Sequence, residues 1–199
     1  MAFTQVNDGR LVNSLWKDLW KARLLEWLKM FLWRIRANVI PTRVNLQQKM
    51  QHIDLACSFC NNEVESSTHL FLDCQFASAL WAVVGWGIRF DTVTFTSGED
   101  LLKLIINPPN ALIPTNEQWI VTLNMALILD EIWNSRNRKL FKQEQADLIK
   151  AKHRVQIRFL EISKVFAPTS PPPPQSRDHT LTTSHLLHQI KSKLMWMRL

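Results

Sequence analysis

The sequence predicts a mainly α-helical fold, and three observations point there. Four glycines in 199 residues fall well below average usage, which argues against glycine-rich phosphate loops and turn-dense β-sandwiches. Apolar residues recur at helical spacing over long stretches, and prolines fall between those stretches rather than inside them. With 46% hydrophobic and 21% charged residues, the chain can bury one or two modest cores in water.

From Leu11 to Ala37 the apolar series runs through Leu15, Leu19, Trp20, Leu24, Trp27, Leu28, Phe31, Leu32 and Ile35, with basic residues between them. No proline interrupts Ala22 to Leu28, so one long fused helix or two helices both fit. Pro41 blocks continuation, and Thr42 can cap a short helix through Met50. Phe76 to Val84 reads as an apolar helix ended by Gly85 and Gly87, and Arg89 to Thr96 as a short strand or a loop. Ser97 with Asp100 three residues on is a capping box for a helix through Ile106, stopped by Pro108 and Pro109. Thr115 with Gln118 repeats that signal for a helix to about Phe141, and a further helical pattern runs from Gln143 to Phe166. The proline run Pro171 to Pro174 makes 167–180 a linker, and 181–199 can form a short amphipathic helix as a tail.

Nothing in this pattern spans a membrane: the longest apolar run, Trp119 to Leu129, includes Thr122 and Asn124 and is too short. The N-terminus has no basic segment followed by an apolar run and a small-residue cleavage site, so an intracellular, reducing setting is expected rather than secretion. The formal charge of +7 is uneven. Residues 1–60 hold nine basic and four acidic side chains, 61–119 two and seven, and 120–164 nine and five. Basic regions flanking an acidic middle can neutralise a phosphate backbone, or simply solvate a surface.

One constellation is chemically specific. Cys57, Cys60, His69 and Cys74 form C-x2-C-x8-H-x4-C and use every cysteine in the chain. Two cysteines two residues apart aim both sulfurs at one point, and a second pair closes a tetrahedron, which is the donor set and geometry Zn2+ prefers. Four protein ligands leave no open position, so the expected role is structural rather than catalytic. His52 is a spare ligand candidate, set before the first cysteine and outside the usual ligand order.

Around the site the words become specific. Cys57-Ser58-Phe59-Cys60 is followed by Glu65-Ser66-Ser67-Thr68-His69-Leu70-Phe71-Leu72-Asp73-Cys74 and then Trp81. Upstream stand Trp16-Lys17-Asp18-Leu19-Trp20-Lys21, Lys29-Met30-Phe31-Leu32-Trp33-Arg34 and Ile40-Pro41-Thr42-Arg43-Val44-Asn45-Leu46; downstream stands Ile132-Trp133-Asn134-Ser135-Arg136-Asn137-Arg138. Together, over roughly residues 10–142, these words resemble the zinc-binding region of plant LINE-type (non-LTR) retrotransposon reverse transcriptases. The chain departs from that pattern between Trp20 and Lys29, where the family carries a helix-breaking proline. It departs again at Ser58 and Asn61, where the family's knuckle has proline and glycine.

The resemblance implies a non-catalytic zinc-binding module at 10–90, followed by a helical region at 91–166, that binds RNA or DNA without reading sequence, in a nuclear setting. A structural or protein-interaction scaffold, or a retroelement remnant without activity, is the alternative. Polymerase chemistry needs paired aspartates holding two metal ions, and the acid pairs Glu99-Asp100 and Asp130-Glu131 read instead as solvated faces or caps. No small-molecule substrate is expected. The candidate nucleic-acid contacts are Lys17, Lys21, Lys29, Arg34, Arg36, Arg43, Arg136, Arg138 and Lys139, and at least two of Trp16, Trp20, Trp27 and Trp33 are expected in the core.

Overall fold

The computed structural model describes residues 8–84, 97–108 and 117–166, with side chains from Ser14 onward. The expected strand or loop at 89–96, the Thr115 cap, the proline linker and the tail lie outside the described residues. Seven α-helices are described: α1 Asp8–Lys21, α2 Glu26–Arg36, α3 Arg43–Gln47, α4 Gln75–Val84, α5 Gly98–Ile106, α6 Gln118–Lys142 and α7 Leu148–Phe166. A π-helical turn, His69–Asp73, precedes α4, and an isolated antiparallel bridge joins Ala56 to Val64. The mainly α expectation holds, since the described residues contain no strand beyond that bridge.

Of the two options for the first helical stretch, the structure takes two helices, even without proline. Leu24 is buried, and Leu25 is extended at φ −66°, ψ 147° before α2 begins with Glu26. A helix end leaves carbonyls unpaired. Lys29 supplies the missing donor, its Nζ donating to Trp20 O at 3.0 Å while pairing with Glu26 at 2.9 Å. Turning Leu24 inward and capping α1 from α2 replaces the proline as the cause of the break.

Thr42 caps α3 as expected, accepting from Asn45 N, but α3 stops at Gln47 rather than Met50. In α4 the buried positions Ala77, Leu80, Trp81 and Val84 follow a single helical stripe. Ser97 accepts from Asp100 N and opens α5 where the capping box predicts. A Cβ on Gly98 would meet Ile35 O at 2.5 Å, so this glycine lets α5 approach the backbone of α2. Gly98→Ala is expected to force the two helices apart and destabilise the fold by about 1–3 kcal/mol, read as a lowered midpoint in urea unfolding.

The central element is α6, buried without interruption from Val121 to Ile132 and packed on α2, α4, α5 and α7. The two polar residues in its apolar run have a structural use. Thr122 Oγ1 donates to Ile105 O at 2.8 Å and Asn124 Nδ2 to Val84 O at 3.2 Å, satisfying end carbonyls of α5 and α4. Gln143, at φ 56°, ends α6, and Asp147 accepts from Lys150 N to start α7. Ala151, Val155, Phe159 and Ile162 then bury one stripe of α7. One hydrophobic cluster runs from Leu15 on α1 to Ile162 on α7.

The acid pair Asp130-Glu131 is a correction. Both residues are buried rather than solvated, because α7 covers them and brings its own cations. Arg158 pairs with Asp130 at 2.7 Å, and Arg154 with Glu131 at 2.8 Å. Burial pushes the Asp130 carboxyl above the usual carboxylate range, against the pull of Arg158. Glu99 and Asp100, by contrast, serve as expected at the start of α5, Asp100 in the Ser97 cap and Glu99 paired with Arg36 and Lys103.

Candidate metal centre

The first two cysteines sit on a tight knuckle. The bridge between Ala56 and Val64 folds the chain back, Cys57 N donates to Glu63 O at 2.7 Å, and Asn61 N closes the turn onto Cys57 O at 2.8 Å. Asn61 takes φ 57°, the left-handed conformation that glycine adopts most easily and that asparagine tolerates best among the other residues. The missing family glycine is thus replaced by the next most suitable residue.

The other two candidate ligands bracket the π-helical turn. Ser66 Oγ accepts from His69 N at 3.1 Å, and Cys74 N donates to His69 O at 2.7 Å, an i to i+5 bond that places His69 and Cys74 at the two ends of one turn. Two side chains from α4 hold that turn: Trp81 Nε1 donates to Phe71 O at 2.8 Å and Ser78 Oγ to Leu72 O at 2.9 Å. Trp81 is thus placed seven residues after Cys74 to reach back over the turn. Its indole is buried and its one donor holds the turn's backbone.

The four donor atoms of Cys57, Cys60, His69 and Cys74 lie within 4.8 Å of one another. Cys57 Sγ is 3.8 Å from Cys74 Sγ, and Cys60 Sγ is 3.4 Å from His69 Nε2. Tetrahedral Zn2+ with bonds of about 2.3 Å to sulfur and 2.0 Å to nitrogen would set donors about 3.5–3.8 Å apart, so the residues fit the ion. His52 is exposed and stands outside the cluster. The neighbouring Cys74 thiol draws the Cys57 thiol down to about 5, helped by the backbone N–H groups of Cys60 and Phe59 and opposed by burial. The same contact, with burial, pushes the Cys74 thiol up. Two thiolates this close in a buried site require a cation to ionise together, and a divalent ion supplies that charge.

Glu65 is the residue that sequence reasoning did not single out. Its side chain is fully buried and receives donors from three parts of the chain. Ser58 N and Oγ donate to Oε2 at 3.2 and 3.0 Å, Arg43 N donates to Oε1 at 3.2 Å, and Arg136 Nε and Nη2 donate to Oε1 at 3.2 and 2.7 Å. One carboxylate therefore ties the knuckle, the start of α3 and the C-terminal part of α6 together. Its only sequence signal is its place in the Glu65-Ser66 word.

The basic candidates divide sharply. Lys17, Lys21 and Arg34 are exposed, and none pairs with a carboxylate among the described residues. The others are engaged within the fold. Lys29 caps α1; Arg36 pairs with Glu99 at 3.3 Å; and Arg43 donates from Nη1 to Asp54 O at 2.7 Å. Arg136 is 3% exposed, held by Glu65 and Pro41 O and lying over the Trp133 ring. Arg138 pairs with Glu131, and Lys139 donates to Phe59 O at 3.4 Å. Buried guanidinium groups need this pairing, which leaves Arg136 turned away from any phosphate.

The metal cluster, with its knuckle and turn, occupies residues 57–74. Residues 1–81 match the family described as zinc-binding in reverse transcriptase. That match ends within α4 at the buried Trp81, and α5 to α7 lie beyond it. A putative ribonuclease H protein of Arabidopsis thaliana is 30% identical over 71 residues, which are 36% of this chain and 12% of that relative. The chain thus spans about an eighth of that relative's length. No solved structure matches. These findings support the resemblance to retrotransposon reverse-transcriptase zinc-binding regions, and the matched region is of a zinc-binding rather than a catalytic kind. Among the described residues, no helix is long and apolar enough to cross a membrane.

Proposed function

We propose that this chain is a non-catalytic zinc-stapled module that binds RNA or DNA without reading sequence, in an intracellular, nuclear setting. The observation that carries the reading is the exposed trio Lys17, Lys21 and Arg34, which lies on α1 and α2 without carboxylate partners among the described residues. Unpaired cations on a chain of net charge +7 favour a polyanion, because each neutralised phosphate releases condensed counterions. The metal's part is to hold the knuckle and the turn before α4, and through Glu65 the start of α3, in one arrangement. It performs no chemistry on a substrate.

The test is salt dependence. Binding of the zinc-loaded chain to mixed-sequence RNA and DNA is expected to weaken by about tenfold or more between 50 and 200 mM salt, with little preference among sequences. Three phosphate contacts would give a log–log slope of about −2 to −3. Affinity unchanged across that range would refute the reading. A scaffold role is favoured by a separate observation: Phe141 and Ile149, at 79% and 80% exposure, stand either side of the turn between α6 and α7. An intermolecular contact there, with no polyanion affinity, would point to that second reading.

A further inference from the structure

Tryptophans on α1 and α2 are spaced as core residues, yet none of the four is among the fully buried side chains. Trp27 is 42% exposed and lies under the Arg158 guanidinium. Trp16, Trp20 and Trp33 are half-buried and form a continuous aromatic step. The Trp16 and Trp20 rings meet edge to face with centroids 5.3 Å apart, and Trp16 meets Trp33 at 6.4 Å. Trp16 and Trp33 pack against the core, whereas Trp20 lies outside that set. The expectation that at least two of these residues would be core is met only by packing at its edge. Leu15, Leu19, Leu28 and Leu32 take the interior positions.

The cations stand beside this step. At 100° per residue, Lys17 and Lys21 form the outward stripe of α1, with Trp16 and Trp20 on one shoulder and Asp18 on the other. The single acid of that stretch is therefore on the side away from the indoles. On α2, Arg34 is exposed next to Trp33. Partly open indoles bordered by unpaired cations suit a particular partner. Flat π-faces can stack with bases only where those bases are unpaired, and the flanking cations can follow the backbone. A duplex hides its bases' faces and would use the cations alone.

We propose that Trp16, Trp20 and Trp33, with Lys17, Lys21 and Arg34, form a binding step for single-stranded nucleic acid. This rests on the nucleic-acid reading above and sharpens it from any phosphate backbone to unpaired strands. The experiment measures binding of the full zinc-loaded chain to an RNA strand of about a dozen nucleotides, its DNA counterpart and the matching duplex. The strands are expected to bind more tightly than the duplex. Trp20→Leu, at the tryptophan outside the core cluster, is expected to cost about tenfold on the strands while leaving duplex affinity and the salt slope unchanged. Lys17→Gln with Lys21→Gln, at exposed positions that touch no carboxylate, is expected to weaken strand and duplex alike and flatten the slope by about one and a half. Equal affinity for strand and duplex, with Trp20→Leu unaltered in binding and in melting temperature, would overturn the step while leaving the broader reading intact. Failure of the unaltered chain to bind any of the probes at low salt would overturn both.

Discussion

Removing the metal by chelation, or replacing Cys57 with serine, is expected to unfold the knuckle and the turn before α4, with a large loss of helical signal. The reason is how little besides the metal holds the knuckle itself. It has one bridge, a few backbone bonds and the Ser58–Glu65 contacts, and the short α3 that precedes it contains no buried side chain. Structural Zn2+ contributes apparent binding free energies of about 10 kcal/mol or more in small modules, comparable to the whole stability of an ordinary domain. The effect should spread beyond the site. Phe71 meets Phe31 of α2 edge to face at 6.2 Å, and Phe59 stacks on Phe76 of α4 at 4.4 Å, so a collapsed site uncovers parts of both helices. Circular dichroism before and after chelation, with metal content by mass, is the measurement. Full helicity without metal would mean that the core from α1 to α7 is sufficient alone.

The same argument has a pH sign. Metal binding requires thiolates, and protons compete for the three sulfurs, so affinity falls as pH falls. Lowering the pH from neutrality is expected to release the metal and the structure together. Restoring neutral pH with added Zn2+ should recover both. The acid loss is expected in the metal-loaded chain and should move to lower pH as free Zn2+ is raised, which separates ligand protonation from general acid unfolding.

What was legible in the sequence was local. The ligand spacing, the Thr42 and Ser97 caps and the apolar stripe of α4 each depend on residues within one short segment, and each appears where the pattern placed it; α7 keeps Val155, Phe159 and Ile162 inward but starts at Leu148 rather than Gln143 and leaves Ile149 exposed. Illegible features depend on distant partners. Lys29 reads as a free cation until the end of α1 is seen to need a donor, and Asp130 and Glu131 read as a solvated pair until α7 lays two arginines over them. The break at Leu24 carries no proline because a leucine turned into the core and a lysine cap can do the same work. The Arg136-Asn137-Arg138 run shows the limit most clearly. Its charge is visible in the sequence, but whether that charge meets a phosphate or a carboxylate is settled by Glu65, 71 residues away.

That pair supports the second large prediction. Glu65 and Arg136 are 0% and 3% exposed in their side chains and 2.7 Å apart, so neither is reached by water once its partner is gone. Arg136→Leu is expected to cost about 3–5 kcal/mol, because a buried carboxylate would keep only Ser58 and Arg43 N as donors. Glu65→Leu should cost at least as much, since it strands the guanidinium and also the Ser58 and Arg43 amides. The double variant removes both charges and should be less destabilised than the two losses combined, by about 2 kcal/mol or more, in urea unfolding at fixed zinc. Additive losses would show that the pair is not coupled. A second readout separates the fold from the site. Glu65 Oε2 holds Ser58 N between the first two ligands, so Glu65→Leu is expected to weaken zinc affinity about 10- to 100-fold, as loss of a partner behind the ligands does elsewhere. Arg136→Leu leaves those Ser58 bonds in place and should weaken zinc binding less than it weakens the fold.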